Sequence, residues 1–315
     1  MKNSHSYSGF SKRPTQNTAK QTYPRTDLAC ESGSTGENVP GTAYREYETY
    51  GLRLTDLHVL NKEGERHTGQ VRGRYTTLYC PIIRYWEMEQ MEKTAAVLGA
   101  LLRDYARIAV RKPVGAGTKV LVAGLGNRFI TADAVGPRTA DKISVTSHMV
   151  EAEDELLQKM DCCSIAAIHP GVKGQTGIEA VTMIQSAVAA ACPDIVIAVD
   201  ALAARSTERL AATIQVTDTG IRPGSGIGSH LQGISEETIG CPVIAVGVPT
   251  VVNSYTLVYD ALEKAGIQEV SPQLQAVLET GENFFVSPRD SDVIVEEIST
   301  LLSKGINKAF FAAWA

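Results

Sequence analysis

Two aspartates that follow strongly apolar segments are the residues in this chain best suited to do chemistry. Asp133 comes shortly after the run KVLVAG (Lys119 to Gly124), and Asp200 directly ends the run DIVIAVD. Two carboxyl groups held close together cannot both ionise easily, so they share a proton. Such a pair can take a proton from water and give one to a leaving amine. If the two strands are neighbours, the pattern therefore predicts an acid pair for hydrolysis. The alternatives are structural: Asp133 caps a turn, and Asp200 forms an ion pair with Arg205.

The apolar runs that carry these residues alternate with helical patterns. This alternation predicts an α/β fold with a mostly parallel sheet and helices on both faces. Short β-like pieces between residues 50 and 85 predict a smaller β-rich N-terminal insertion. Ligands bind beyond the carboxyl ends of parallel strands. We therefore expect the polar loops after the strands to converge on one edge of the sheet.

Three local patterns refine this outline. Spacing of apolar residues by three and four predicts a helix from Glu87 to Val110. The charged stretch NKEGERHTGQ looks like a hairpin between strands. Thr176 and Glu179 have the spacing of a capping box at the start of the next helix.

Several common sites are not supported by the sequence. Phe129 occupies the place of the third glycine of a dinucleotide fingerprint, and the glycine-rich PGSGIGS lacks the Gly-Lys-Ser/Thr end of a phosphate loop. No Gly-x-Ser-x-Gly follows a strand. The histidines have no metal-ligand spacing, although one of them could still join Asp133 or Asp200 in a metal site. We expect no cofactor, no metal and six reduced, mostly buried cysteines.

Charge is distributed unevenly along the chain. The formal net charge is −5, yet residues 1–25 contain only basic charged residues: Lys2, Lys12, Arg13, Lys20 and Arg25. A solvated, mobile tail is the simplest interpretation, and docking on the acidic body or on nucleic acid is the alternative. No stretch has the length of a membrane span, and no apolar signal segment follows Lys2. These features predict a soluble cytoplasmic protein.

Long strings of the sequence resemble the germination protease (spore protease) family of endospore-forming bacteria. They include TKVLVAGLGNRFITADAVGP, PGVKGQTGIEA, PDIVIAVDALAARS, TIQVTDTGIRPGSGIGS, CPVIAVGVPTVV, FFVSPRDSDVIVEEIS and GINKAF, and the resemblance runs from about Arg25 to Phe310. The first string is also similar to the hydrogenase maturation proteases, in which a Gly-x-Gly-Asn strand end leads to an acidic residue. That second resemblance implies a hydrogenase-maturation-protease-like α/β core.

The resemblance implies a substrate and a mode of activation. The family cleaves small acid-soluble spore proteins at a motif close to Thr-Glu-hydrophobic-Ala-Ser-Glu, and it is made as a zymogen that cuts itself at a similar string. TDLACE, from Thr26 to Glu31, matches that motif, with Cys30 in place of Ser. The implied cut lies between Asp27 and Leu28, in a segment expected to be extended and exposed. Residues 1–27 are then a propeptide, and residues 28–315 are a single α/β peptidase domain.

The resemblance also implies roles for particular residues. The two catalytic aspartates of the family fall on Asp133 and Asp200, while Asn127 and Arg205 are possible supports of the site. Family members are homotetramers without a cofactor, and they work in the forespore or spore core. Direct binding of nucleic acid or membrane is not expected.

The chain departs from the family pattern at three places. Ala132 stands where the family usually has Pro, Ser147 stands where it often has Arg, and Ser229 stands near a usual Asn. These departures bear on substrate affinity or zymogen control more than on the chemistry. Two rival functions stay open at this point. One is a metal-assisted peptidase like the hydrogenase maturation enzymes, and the other is an inactive paralogue that acts as a binding protein.

Overall fold

The protein was analysed as a computed structural model that describes residues 26–31, 38–80, 88–151, 162–223, 232–267, 271–280 and 284–311. The strands are β1 Thr42–Thr49, β2 Leu52–Val59, β3 Gly73–Tyr79, β4 Lys119–Gly124, β5 Ser164–Ile168, β6 Ile195–Ala204, β7 Thr213–Thr217, β8 Val243–Asn253 and β9 Phe285–Val286. The helices are α1 Lys62–Thr68, α2 Met88–Val110, α3 Val135–Ala140, α4 Ser147–Glu151, α5 Lys173–Thr176, α6 Ala180–Ala191, α7 Glu236–Ile239, α8 Ser254–Lys264, α9 Pro272–Thr280 and α10 Ser291–Phe310. Short 3-10 turns cover Ala29–Glu31, Thr131–Asp133 and Thr207–Arg209.

All the described strands belong to one sheet, in the order β1-β2-β3-β7-β8-β6-β4-β5, with β9 beside β8. Strands β5, β4, β6 and β8 run parallel to one another, and the remaining pairs are antiparallel. The predicted α/β class is confirmed. The parallel strands form one part of a larger mixed sheet, and the β-rich N-terminal strands β1–β3 extend that same sheet through β7.

Helices cover both faces of the parallel strands because these strands are apolar on both sides. Val120 and Val122 of β4 join the core formed with α2 and α10, while Leu121 and Ala123 join the core formed with α6 and α7. Helices α2 and α10 cross closely at Gly99, where an added Cβ would lie 3.0 Å from the carbonyl oxygen of Gly305. The predicted helix over 87–110 is confirmed as α2.

Strand β4 has β5 on one side and β6 on the other. The chain therefore adds its next two parallel strands on opposite sides of β4, which makes β4 the switch point of the sheet. A crevice forms at such a switch point, outside the carboxyl ends of the strands. Strand β4 ends at Gly124, which pairs with Val199, whereas β6 continues beyond it to Ala204. Asp200 therefore lies inside β6, and the prediction that the strand ends there is wrong.

Two other local predictions are wrong for physical reasons. The stretch NKEGERHTGQ contains helix α1, because the Asn61 side chain caps its first N–H groups and Gly69 ends it with positive φ. Thr176 and Glu179 do not form a capping box, since Thr176 ends α5 and no side chain caps α6. The Glu179 carboxylate instead pairs with Lys173 at 2.6 Å.

Two broader expectations concern cysteines and membranes. The six cysteines, all of which lie in the described residues, form no disulfide, and four of them are buried: Cys80, Cys162, Cys163 and Cys241. Across the part of the chain that the structure describes, no helix has the length and apolar character needed to cross a membrane.

Candidate active site

A cavity of about 570 Å³ opens at the carboxyl end of the parallel strands, and three aspartates line it: Asp27, Asp133 and Asp200. Apolar residues form much of the remaining wall, among them Leu125, Val181, Leu202, Ile234 and Phe285. Carboxyl groups in such surroundings are poorly solvated, so their charged forms are disfavoured. The arrangement therefore favours at least one protonated carboxyl group in the cavity.

Asp200 is the most deeply buried of the three, with 4% of its surface exposed. Burial raises the pKa of its carboxyl group well above the ordinary value, and the neighbouring charges of Asp133 and Asp27 raise it further. A single backbone donor, the N–H of Ala201 at 2.9 Å, favours the charged form. The expected alternative, an ion pair with Arg205, is wrong, because the Arg205 guanidinium binds Glu263 at 2.8 Å.

Asp133 lies on the 3-10 turn Thr131–Asp133, at the end of the loop that follows β4. Burial raises the pKa of its carboxyl group, while the backbone N–H of Asn127, 2.7 Å from Oδ2, opposes that rise. Asp133 does not cap the following helix, since α3 begins without a side-chain cap. Gly126 makes this approach possible, because its φ is 108° and an added Cβ would lie 2.2 Å from the Asp133 carbonyl oxygen.

The loop that carries Asp133 is fastened to the sheet by β8. The Thr250 hydroxyl donates to the carbonyl oxygen of Ala132 at 2.6 Å. Ala132 is the first of the three expected departures from the family pattern, and the loop at this position is held by the Thr250 hydrogen bond. Ser147, a second departure, begins α4. The third, Ser229, lies outside the described residues.

The backbone N–H groups of Asn127 and Arg205, the two predicted supports, donate to the carboxylates of Asp133 and Glu31. The Asn127 N–H holds Asp133, whereas its side-chain oxygen accepts from the N–H of Phe129 and from the amide of Gln175. The Arg205 N–H binds the carboxylate of Glu31 at 2.7 Å. Support of catalysis by these two residues stays a prediction, and both contacts are made by their main chains.

The segment Thr26–Glu31, called the seated segment below, occupies the edge of the cavity. Leu28 and Ala29 are buried, so the expectation of an exposed, extended segment is wrong. The backbone N–H of Asp27 donates to the carbonyl oxygen of Ala203 at 2.9 Å, and the N–H of Ala203 donates to Asp27 Oδ2 at 2.9 Å. These two hydrogen bonds hold Asp27 at the cavity that Asp133 and Asp200 also line.

Other polar residues near the cavity are already paired. Lys173 contacts Glu179, and His169 Nε2 lies 3.5 Å from Asp141. Within the described ranges, no group of three or more histidine, cysteine, aspartate or glutamate side chains is arranged to hold a metal ion.

The sequence analysis did not identify Gln215 and Thr250. Gln215 is a buried amide in the otherwise apolar centre of β7, and it contacts the backbone of the seated segment. An amide between two apolar residues in a strand that is buried along its whole length was the available signal, since burying an amide without a partner is costly. Its partner lies 186 residues away in sequence, so the signal could not say what it binds.

A mixed α/β sheet with an acid-lined crevice at its switch point has the architecture of an enzyme. A sequence model of the germination protease family matches residues 19–265. The match covers well over half of the chain, so the chain belongs to the germination protease family. It is accordingly a hydrolase, an endopeptidase of spore germination.

Individual germination proteases match along most of their length. The protein from Caldanaerobacter subterraneus is 36% identical, and the match covers 90% of this chain and 93% of that protein. The Clostridium perfringens protein is 33% identical, and the match covers 90% of this chain and 94% of that protein. The Bacillus pumilus protein is 32% identical, and the match covers 90% of this chain and 92% of that protein.

Among solved structures, a [NiFe] hydrogenase maturation protease from Thermococcus kodakarensis is similar at 16% sequence identity. The match covers 60% of this chain and 93% of the other, with a TM-score of 0.31.

Proposed function

We propose that this endopeptidase degrades small acid-soluble spore proteins during germination, that it is made as a self-processing zymogen, and that Asp133 and Asp200 activate the attacking water. The observation that carries the proposal is the cavity shared by Asp27, Asp133 and Asp200. The chain's own match to the substrate motif includes Asp27, so the bond proposed to be cut begins at a residue that lines this cavity.

The unlike surroundings of the two aspartates support different roles. Asp200 has the pKa raised furthest, by burial and by two neighbouring carboxylates, so it is the group that holds the proton. Asp133 receives the Asn127 N–H, which stabilises its charged form. We therefore assign Asp133 as the base and Asp200 as the acid.

The proposed reaction is a direct attack by water. The Asp133 carboxylate takes a proton from water, and the water oxygen bonds to the carbonyl carbon of Asp27. Asp200 donates its proton to the nitrogen of Leu28 as the carbon–nitrogen bond breaks. The products are a new carboxyl group on Asp27 and a new amino terminus on Leu28. The proton that Asp133 took from water then passes to Asp200, which restores both groups for the next cycle.

The experiment that tests this proposal measures intact mass over time. The purified chain is mildly acidified with a chelator present, beside Asp133→Asn and Asp200→Asn, and each is also mixed with a small acid-soluble spore protein. We expect loss of residues 1–27 and cleavage of the added protein in the unmutated sample alone. Cleavage by a folded Asp200→Asn protein would refute the acid pair, and activity restored only by added zinc would favour a metal-assisted peptidase.

The assembly and location belong to the same proposal. We expect a homotetramer that acts in the forespore or spore core, as the family resemblance implies. Light scattering coupled to gel filtration, on the chain before and after loss of residues 1–27, measures the assembly. A monomer in both samples would contradict the tetramer.

A further inference from the structure

The seated segment makes a set of contacts that has the form of a bound substrate. Its backbone lies between β6 and the Gln215 side chain, its Leu28 side chain is fully buried, and its Glu31 carboxylate is bound by two N–H groups. These contacts lie on both sides of the Asp27–Leu28 bond. Each contact can be assigned to one position of the peptide.

Gln215 binds the backbone on both sides of Leu28. Its amide Nε2 donates to the carbonyl oxygen of Asp27 at 3.2 Å, and its Oε1 accepts from the N–H of Ala29 at 2.6 Å. The first of these contacts is to the carbonyl of the bond proposed to be cut. A donor fixed at that oxygen stabilises the negative charge that develops there during attack.

The side chains after the cut enter enclosed apolar surroundings. Leu28 packs in a cluster with Leu202, Ala204 and Val252. Ala29 is 1% exposed and packs against a different cluster, formed by Leu57, Val59 and Tyr75. The first position therefore suits a large aliphatic side chain, and the second has room for a small one only.

The Glu31 carboxylate marks a site for an acidic side chain. Its Oε2 accepts from the Arg205 N–H at 2.7 Å, and its Oε1 accepts from the Ser206 N–H at 3.0 Å. The Thr26 hydroxyl also donates to Oε2 at 2.6 Å, which ties the two ends of the segment together. The N–H of Glu31 closes a turn on the carbonyl oxygen of Leu28 at 3.1 Å. The segment is thus recognised as a compact turn.

We propose that these contacts are the substrate-recognition site of the enzyme. Gln215 holds the carbonyl of the bond to be cut, and the pockets around Leu28 and Ala29 select a large and then a small side chain. The N–H groups of Arg205 and Ser206 bind an acidic side chain at the fourth residue after the cut. The proposal rests on the proposed endopeptidase function, because it names the peptide that the same site takes. An external substrate would bind as the same turn after residues 28–31, which stay attached to the enzyme when residues 1–27 are removed, have moved out of these contacts.

The test combines two measurements on the full chain: the rate of self-cleavage by intact mass, and residue-resolved hydrogen–deuterium exchange on the uncleaved chain. The variants are Glu31→Gln and Gln215→Leu. Their matched controls are Glu208→Gln and Gln185→Leu, which change the same residue types at exposed positions. Circular dichroism of each variant verifies the fold.

We expect Glu31→Gln to speed exchange at the Arg205 and Ser206 N–H groups and to slow self-cleavage about ten- to a hundredfold, because hydrogen bonds to a charged group are lost. Gln215→Leu should speed exchange at the Ala29 N–H and slow cleavage about a hundredfold. Both controls should exchange and cleave like the unmutated chain.

The outcomes separate this inference from the function on which it rests. Cleavage at Asp27–Leu28 at an unchanged rate in both variants would overturn the recognition site and leave the endopeptidase in place. Absence of cleavage in the unmutated chain, with the expected exchange pattern, would sink the proposed function and retain a peptide-binding site. Exchange that does not respond to Glu31→Gln would overturn the recognition site whatever the cleavage rate, and this result is available even if Gln215→Leu does not fold.

Discussion

At the scale of single residues, the proton on Asp200 connects activity with stability. Its pKa is raised in the folded protein, whereas in the unfolded chain it is ordinary, near about 4. Below that pH the folded and the unfolded state both hold the proton, so the ionisation of Asp200 does not lower the free energy of unfolding. As pH rises above it, the unfolded chain releases the proton more readily, so the folded state loses stability. We therefore expect Asp200→Asn to raise the free energy of unfolding at pH 7 by about 1–2 kcal/mol while abolishing cleavage.

Urea unfolding of Asp200→Asn and of the unmutated chain, at pH 7 and at pH 3.5, measures the gain in free energy of unfolding. The stabilisation should be absent at the lower pH, because Asp200 is protonated there in both states. Glu48→Gln, at an exposed position, serves as the control and should change little at either pH. A gain of equal size at both values would show that packing, and not protonation, is responsible.

Gly126 is a second residue whose identity is fixed by the site. A Cβ at this position would lie 2.2 Å from the Asp133 carbonyl oxygen, and the φ of 108° disfavours any side chain. We expect Gly126→Ala to displace the Asp133 loop, to lower stability by about 1–3 kcal/mol and to slow cleavage at least about tenfold. Gly117→Ala is the matched control, since nothing lies within 4 Å of its added Cβ. Equal activity of the two variants would contradict this view of the loop.

At the scale of elements, the pairing of α2 with α10 supports the sheet behind the site. The two helices cross where Gly99 faces Gly305, and α10 also packs against α3 and the turn Thr131–Asp133. We expect Gly99→Leu to push the helices apart and to cost about 1–3 kcal/mol of stability. Thermal unfolding measures the loss, with Gly174→Ala as a control in open space. An unchanged melting temperature would mean that the helices can shift without strain.

At the scale of the whole molecule, the seated segment fastens the N-terminal part of the chain to the centre of the sheet. Leu28 is fully buried with side chains from β6 and β8. Leu28→Ala should therefore lower the free energy of unfolding by about 2–4 kcal/mol. Ile178→Ala, at a position 47% exposed, is the control for a lost aliphatic side chain. Equal unfolding midpoints of the two variants in denaturant would argue that the segment is not seated in solution.

The sequence by itself determined the central strands, helix α2 and the choice of Asp133 and Asp200 as candidate carboxyl groups. Apolar runs of five to seven residues indicated the central strands, and the spacing of three and four indicated α2, because these periods follow from backbone geometry alone. Asp133 and Asp200 could be chosen because each follows an apolar run in the sequence, and ligand crevices form where such strands end. In the fold Asp200 lies inside β6 and not at its end. The match between TDLACE and the family motif was likewise visible in the residues.

The tertiary structure alone decided how these pieces meet. That β6 lies beside β4, that β7 runs antiparallel to β8, and that Gln215 reaches the backbone of Asp27 depend on contacts between residues far apart in the chain. Local propensity does not encode such pairings, as the false capping box at Thr176 illustrates. The roles proposed for Asp133 and Asp200 also needed the fold, because a pKa is set by burial and by neighbouring charges that only the folded chain brings together.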